Sequence, residues 1–277
     1  MNIKEYITKY LGTSNFILTK LNKGFTNNNY LLEYNSKRYV VRVPKDNNCN
    51  LININHELVA EQLIHDCDFH IKLLHFNPNN GVKISEYLYN AIEYIDYENP
   101  NKLIMVAKLL KDFHSIGLKS TEDFNPIDTL NNYISNLKYP LYDLNPYLSI
   151  INIIESYSFN KVLCHNDLVS GNLLFSSNHL YLIDFEYAAN NDPLFDVMSF
   201  LSENQIYDSA SRTIFYNTYF DDFNDSIKDK LDNYEIFQHL LWCTWASLMF
   251  QQHNLPIYKI IAQEKYESLK RCYNLKY

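Results

Sequence analysis

The chain has 277 residues, 47% of them hydrophobic and 20% charged, with a net charge of −8. That length and balance suit a folded core of one large domain or two lobes, and the acidic excess argues against general binding to a phosphate backbone, which needs a basic face. The five cysteines (Cys49, Cys67, Cys164, Cys243, Cys272) are odd in number and lack C-x-x-C spacing, which disfavours a disulfide framework or a zinc site. Met1–Tyr6 has no apolar leader, and Leu240–Phe250 is too short to span a bilayer. The expectation is a cytoplasmic protein with no membrane insertion.

Apolar alternation predicts strands at Phe16–Thr19, Tyr30–Tyr34 and Arg38–Val43, the last two joined by a turn at Asn35–Lys37. A helical pattern runs from Asn55 to about Asp66. Ile71–Phe76, Asn77–Gly81 and Val82–Leu88 read as strand, turn and strand. Beyond Leu88 the pattern is mainly helical: Leu103–Ile116, Ile127–Leu137, Asp192–Leu201, Ser209–Phe220, Tyr234–Gln252 and Ile257–Leu275. Two short strands around residues 163–184 interrupt these helices. The fold class is therefore α+β, with a small β-rich lobe carrying one main helix (1–88) and a larger, mostly helical lobe (89–277). Glycine is scarce, five residues against an average of about 7%. Gly24, Gly81 and Gly171 all fall where turns are needed, so special backbone geometry is expected at each.

Leu163-Cys-His165-Asn166-Asp167-Leu-Val-Ser-Gly171-Asn172, followed by Tyr181-Leu-Ile-Asp184-Phe185-Glu186-Tyr187, carries the chemistry. Metal-dependent phosphoryl transfer needs one carboxylate at the attacking hydroxyl, and an amide and a second carboxylate to hold Mg²⁺ against nucleotide phosphates. Asp167, Asn172 and Asp184 supply these groups, and the Asp-to-Asn interval of five residues matches the protein-kinase catalytic loop. Asp167 either accepts the hydroxyl proton or only orients it. No Ala-Pro-Glu follows Asp184-Phe185, which disfavours a protein substrate. Lys23-Gly24-Phe25-Thr26-Asn27 is a polar turn between strands that could clasp phosphate, though no Gly-Lys-Ser/Thr makes it a Walker loop. Arg42 is a cation on an otherwise apolar strand and calls for an acidic partner. Glu57 is the best match, and Glu61, one turn later, its rival.

His-Asn-Asp, Gly-Asn and Ile-Asp-Phe-Glu-Tyr at these spacings resemble the choline/ethanolamine kinases, within the wider aminoglycoside-phosphotransferase-like group. The likeness runs from about Leu21 to Ala262. It implies the two-lobed protein-kinase-like fold, ATP and Mg²⁺ as cofactors, and a small alcohol as acceptor. Gly24, Thr26 and Asn27 then match a phosphate turn, and Arg42 with Glu57 the phosphate-binding pair. Glu86 to Leu88 is the stretch whose backbone meets adenine. His165 and the helix residue Asp196 brace the catalytic loop.

A quaternary ammonium has no N–H to donate and is best held by aromatic faces and carboxylates. Trp242 and Trp245 are three apart on a predicted helix and share a face. Such a pair is commonly core, but the resemblance places both, with Glu203 and Tyr207, around the acceptor's cationic head. Tyr207 is one place from the matching position, and Tyr258 could close the pocket. The segment Pro256-Ile-Tyr-Lys-Ile-Ile departs from the family pattern. Choline is the favoured acceptor. Ethanolamine, thiamine or an aminoglycoside are other acceptors for the same chemistry, and a non-catalytic nucleotide- or choline-binding protein is the alternative of a different class.

Overall fold

The computed structural model describes residues 2–21, 27–45 and 54–277. Gly24 and Thr26 lie outside the described residues. The chain divides into two compact units, Met1–Glu98 with Ser170–Ala188, and Asn99–Val169 with Ala189–Tyr277. This division differs from the boundary drawn at residue 88: the stretch 89–98 and the returning segment 170–188 group with the N-terminal strands.

The first unit begins with α1 (Ile3–Leu11), which the strand-based reading omitted. Its signals are ordinary ones. Asn2 caps it by accepting from the Lys4 amide at 3.1 Å, and Gly12 ends it with φ of +69°. Strands β1 (Ile17–Lys20), β2 (Asn27–Tyr34), β3 (Lys37–Pro44), β4 (Leu73–Phe76) and β5 (Lys83–Glu86) form an antiparallel sheet in the order β1-β2-β3-β5-β4. Ile7 of α1 packs with Leu32, Val41, Val82 and Ile84 to make its apolar core. The β2–β3 turn falls at Asn35–Ser36, both with positive φ, as a two-residue hairpin demands. Helix α2 (Ile54–Leu63) follows β3. The second sheet, β6-β8-β9, is built from Ile92–Glu93, Leu173–Ser176 and His179–Leu182.

Of the glycine expectations, Gly81 holds: its φ is +68°, and an added Cβ would stand 2.9 Å from Pro44 Cγ. Gly171 is otherwise. It does not take up the left-handed region, and the nearest atom to an added Cβ is Glu93 Oε2 at 3.8 Å. The left-handed positions near the motif belong to Asn166 (φ +65°) and Asp184 (φ +66°), residue types that tolerate this region better than most.

The second unit contains α3 (Lys102–Ser115), α4 (Pro126–Asn136), α5 (Ile150–Glu155), α6 (Pro193–Glu203), α7 (Ser209–Tyr219), α8 (Asp225–His253) and α9 (Pro256–Lys276). A short ribbon pairs β7 (Val162–Cys164) with β10 (Ala189–Asn191). Helix α5 was not anticipated, and α8 starts nine residues before the predicted Tyr234. Its first two turns are mostly polar but carry Ile227 and Leu231, which line up with Tyr234 at i, i+4 and i+7, and Asn224 caps them by accepting from the Ile227 amide at 3.1 Å. From Leu231 to Met249 α8 is buried on most sides, with α9 packed against it. Among the described residues no helix is long and apolar enough to cross a membrane.

Candidate active site

In the first unit the sheet register creates an electrostatic problem. Arg42 on β3 stands directly opposite Lys83 on β5, and both are buried. Two like charges side by side repel unless acids intervene. Glu57 and Glu61 are one turn apart on α2 and therefore share a face. Glu57 bonds both cations, Arg42 Nη2 and Lys83 Nζ, the latter at 2.7 Å. Glu61 takes Lys83 Nζ at 2.6 Å and shares a hydrogen bond with His70 Nε2 at 2.7 Å. Glu57 is thus the partner of Arg42, and its rival serves Lys83. Lys83 was missed from sequence because a lysine in a short alternating strand reads as solvent-facing.

The same guanidinium reaches a second pair of acids. Arg42 Nη1 bonds Asp184 Oδ1 and lies 3.7 Å from Glu186 Oε2. Asn27 Nδ2 donates to Glu186 Oε2 at 3.2 Å. Burial alone would lower the Arg42 pKa, but Glu57, Asp184, Glu186 and Glu61 hold it above the ordinary value. Glu186 was quoted within the motif but given no role. Its burial could not be read from the chain.

Asn172 closes a 3-10 turn at Ser170–Asn172, and its carbonyl accepts from the Ile183 amide at 3.1 Å. This bond ties the Asn172 turn to the residue just before Asp184. Around Arg42 and Lys83 the carboxylates of Glu57, Glu61, Asp184 and Glu186 outnumber the cations by two, before His70 is counted. Hard oxygen donors with surplus negative charge suit Mg²⁺, which needs only one or two protein ligands besides phosphate and water.

The Glu61 carboxyl is raised by burial but lowered more by Lys83 and His70, to about 2 against an ordinary 4.5. A depressed carboxyl stabilises the fold above its unfolded pKa. That contribution is lost as pH falls from about 4.5 towards 2. Glu61→Gln is expected to remove this acid-dependent slope, up to about 1.4 kcal/mol per pH unit for one proton. Chemical denaturation monitored by circular dichroism at stepped pH reads it. A parent-like slope in the variant would detach Glu61 from the acid transition.

In the second unit the backbone is pinned on both sides of Asp167. Asp196 on α6 is fully buried. Its Oδ2 accepts from the His165 amide and its Oδ1 from the Asn166 amide, each at 2.7 Å. After Asp167, the Leu168 amide donates to Ser199 Oγ at 3.1 Å, and the Leu168 carbonyl accepts from Asn204 Nδ2 at 2.9 Å. Asn191 Nδ2 donates to Asn166 Oδ1 at 2.8 Å. From Leu163 to Leu168 every residue is buried except Asp167, which is partly exposed. Ser199, Asn204 and Asn191 were not foreseen. The signal available was the spacing of Asp196 and Ser199, three apart on one helix face. Asp196 Oδ2 also lies 3.1 Å from His114 Nε2, whose Nδ1 shares a hydrogen bond with Tyr219. Cys164 donates to the Asn191 carbonyl, and burial pushes its thiol well up.

The aromatic residues gather on α8 and α9. Trp242 and Trp245 meet edge to face, ring centroids 6.2 Å apart, and Trp245 meets Tyr258 the same way at 5.7 Å. Trp242 and Tyr258 are buried and Trp245 half-buried. Glu203 ends α6 and is ion-paired with Lys265 of α9 at 2.5 Å. The Tyr207 ring lies under the Arg271 guanidinium at 3.7 Å, with its hydroxyl 3.4 Å from Ser268 Oγ.

Known proteins are similar to this chain over most of its length. The model of the choline/ethanolamine kinase family matches residues 18–269. Protein LicA of Haemophilus influenzae is 26% identical over 242 residues, 81% of this chain and 71% of its own. A probable ethanolamine kinase of Arabidopsis thaliana is 27% identical over 278 residues, 85% and 74% of the two chains. The crystal structure of choline kinase LicA from Streptococcus pneumoniae is similar with a TM-score of 0.83 and 26% identity, covering 97% of this chain and 98% of that one.

Proposed function

The chain belongs to the choline/ethanolamine kinase family, and from that premise we propose that it transfers the γ-phosphoryl group of ATP to the hydroxyl of choline, with Mg²⁺ as the metal. That it is a kinase follows from the family. The choice of choline is carried by the edge-to-face set Trp242, Trp245 and Tyr258. Aromatic faces suit a trimethylammonium group, which cannot donate a hydrogen bond.

In this reading Asp167 accepts or orients the hydroxyl proton, from a backbone held by Asp196, Ser199 and Asn204. Asn172 and Asp184 hold Mg²⁺, which when bound offsets charge on the phosphates. Arg42, oriented by Glu57, meets phosphate oxygens together with the turn at Gly24, Thr26 and Asn27. The amides of Glu86 and Tyr87 already bond the Lys72 and Arg38 carbonyls at 3.0 and 3.2 Å. The base-reading role proposed for Glu86–Leu88 therefore falls to the remaining groups of that stretch, Leu88 first.

ADP release measured with choline, ethanolamine, thiamine and kanamycin tests the acceptor. Choline is expected to give the highest kcat/KM. Trp245→Phe keeps bulk but weakens the aromatic face. A desolvated cation–π contact is worth roughly 2 kcal/mol, so KM for choline is expected to rise by about tenfold while KM for ATP stays near the parent's. A parent-like choline KM in folded Trp245→Phe would return the ring to the core.

A further inference from the structure

Glu203 and Tyr207, two of the groups assigned to the acceptor's cationic head, are already engaged by cations of this chain. The Lys265 ammonium holds Glu203 Oε2 at 2.5 Å, with the two side chains 14% and 10% exposed. Glu203 Oε1 is buried and accepts no hydrogen bond from the described residues. Further along α9, Arg271 covers the Tyr207 ring. Lys265, Ser268 and Arg271 are spaced by three, so one helix presents all three contacts.

A carboxylate this deeply buried needs a counter-ion. A quaternary ammonium can neutralise it only through its field, having no proton to offer. It cannot do so while a lysine ammonium sits on the same carboxylate, because the two cations would repel across a site poorly screened by water. Lysine's four-carbon stem is flexible and its ammonium is readily hydrated, so it can leave for solvent without moving the helix.

We propose that Lys265 is an internal occupant of the acceptor's cation subsite, which must release Glu203 when the acceptor binds. Lys265 is thereby a specificity-determining residue. A cationic alcohol replaces the charge it displaces. A neutral alcohol does not, and leaves the ion pair closed. This inference rests on the reading that Glu203 faces the acceptor's cation.

Tetramethylammonium, a cation that cannot be phosphorylated, serves as probe, with its dissociation constant measured by calorimetry and by inhibition of choline phosphorylation. Lys265→Met is expected to bind it at least tenfold more tightly than the parent, and to melt at a lower temperature because Glu203 is left unpaired. Lys265→Arg, which keeps the charge and grips a carboxylate with two donors, is expected to bind it several-fold more weakly. Because it keeps the ion pair, it also serves if Lys265→Met does not fold. Glu203→Gln should weaken binding, and adding Lys265→Met to it should give no tightening. Equal or weaker binding by Lys265→Met, or parent-like binding by Lys265→Arg, with Glu203→Gln still weakened, would overturn the displacement and leave the acceptor reading standing. Parent-like binding by Glu203→Gln would overturn both.

Discussion

Asp167→Ala is expected to lower kcat by roughly 10²–10⁴-fold, the range for loss of a positioned acid–base group, while KM for ATP changes little. The structure makes this a clean experiment. The flanking backbone is held by four hydrogen bonds to Asp196, Ser199 and Asn204, and none of these uses the Asp167 side chain. Asp167 is also the one partly exposed residue between Leu163 and Leu168. A parent-like Tm measured on the same variant makes lost activity report lost chemistry. Asp167→Asn separates charge from shape. A carboxylate that takes the proton predicts a loss near that of alanine, whereas one that only orients the hydroxyl predicts a smaller loss. Turnover of Asp167→Ala within about tenfold of the parent would remove the residue from catalysis.

Asp184→Asn is the second large effect. Asp184 supplies negative charge to the proposed metal site, whereas Asn172 supplies only an amide dipole. The substitution is expected to reduce turnover by about a hundredfold or more at physiological Mg²⁺, and to raise the Mg²⁺ concentration needed for half-maximal rate. Asn172→Ala should show the same trend with a smaller shift. Arg42 keeps Glu57 in Asp184→Asn, with Glu186 nearby, so the sheet and α2 should remain assembled. Normal turnover by Asp184→Asn at modest Mg²⁺ would place the metal elsewhere.

Local patterns carried much of the fold. Alternation located the hairpins of the first sheet, and the polar run Asn35-Ser36-Lys37 announced a turn by residue type, which the structure forms at Asn35–Ser36 with positive φ at both. Some of what escaped was local. Helix α1 has its Asn2 cap and its Gly12 stop in the chain itself, and only its docking through Ile7 on Leu32, Val41, Val82 and Ile84 lies outside every window. The first turns of α8 offered a sparse stripe, Ile227, Leu231 and Tyr234, and a cap at Asn224, and both went unread. The motif residues were legible because their chemistry dictates their types. Their supports were less so: many residue types can donate or accept a hydrogen bond, and Ser199, Asn204, Lys83 and Glu186 acquire meaning only once burial is known. The residues proposed for the acceptor's cation show the same limit from another side. Trp242 and Trp245 meet as their spacing implies, but nothing in the spacing revealed that α9 would set Lys265 on Glu203 and Arg271 over Tyr207.

The discontinuity of the first unit has a consequence for synthesis. Its N-terminal part ends at Glu98, and the remainder, Ser170–Ala188, leaves the ribosome only after 71 intervening residues. At about 5–20 residues per second the delay is roughly 4–14 s. Throughout that interval β6 lacks its partner β8, and Arg42 lacks both Asp184 and Glu186. Of the acids around Arg42, Glu57 and Glu61 on α2 are made early, and Glu57 is the one of these two that bonds it. The Arg42–Glu57 bond is thus available early in synthesis, well before Asp184 and Glu186 are made.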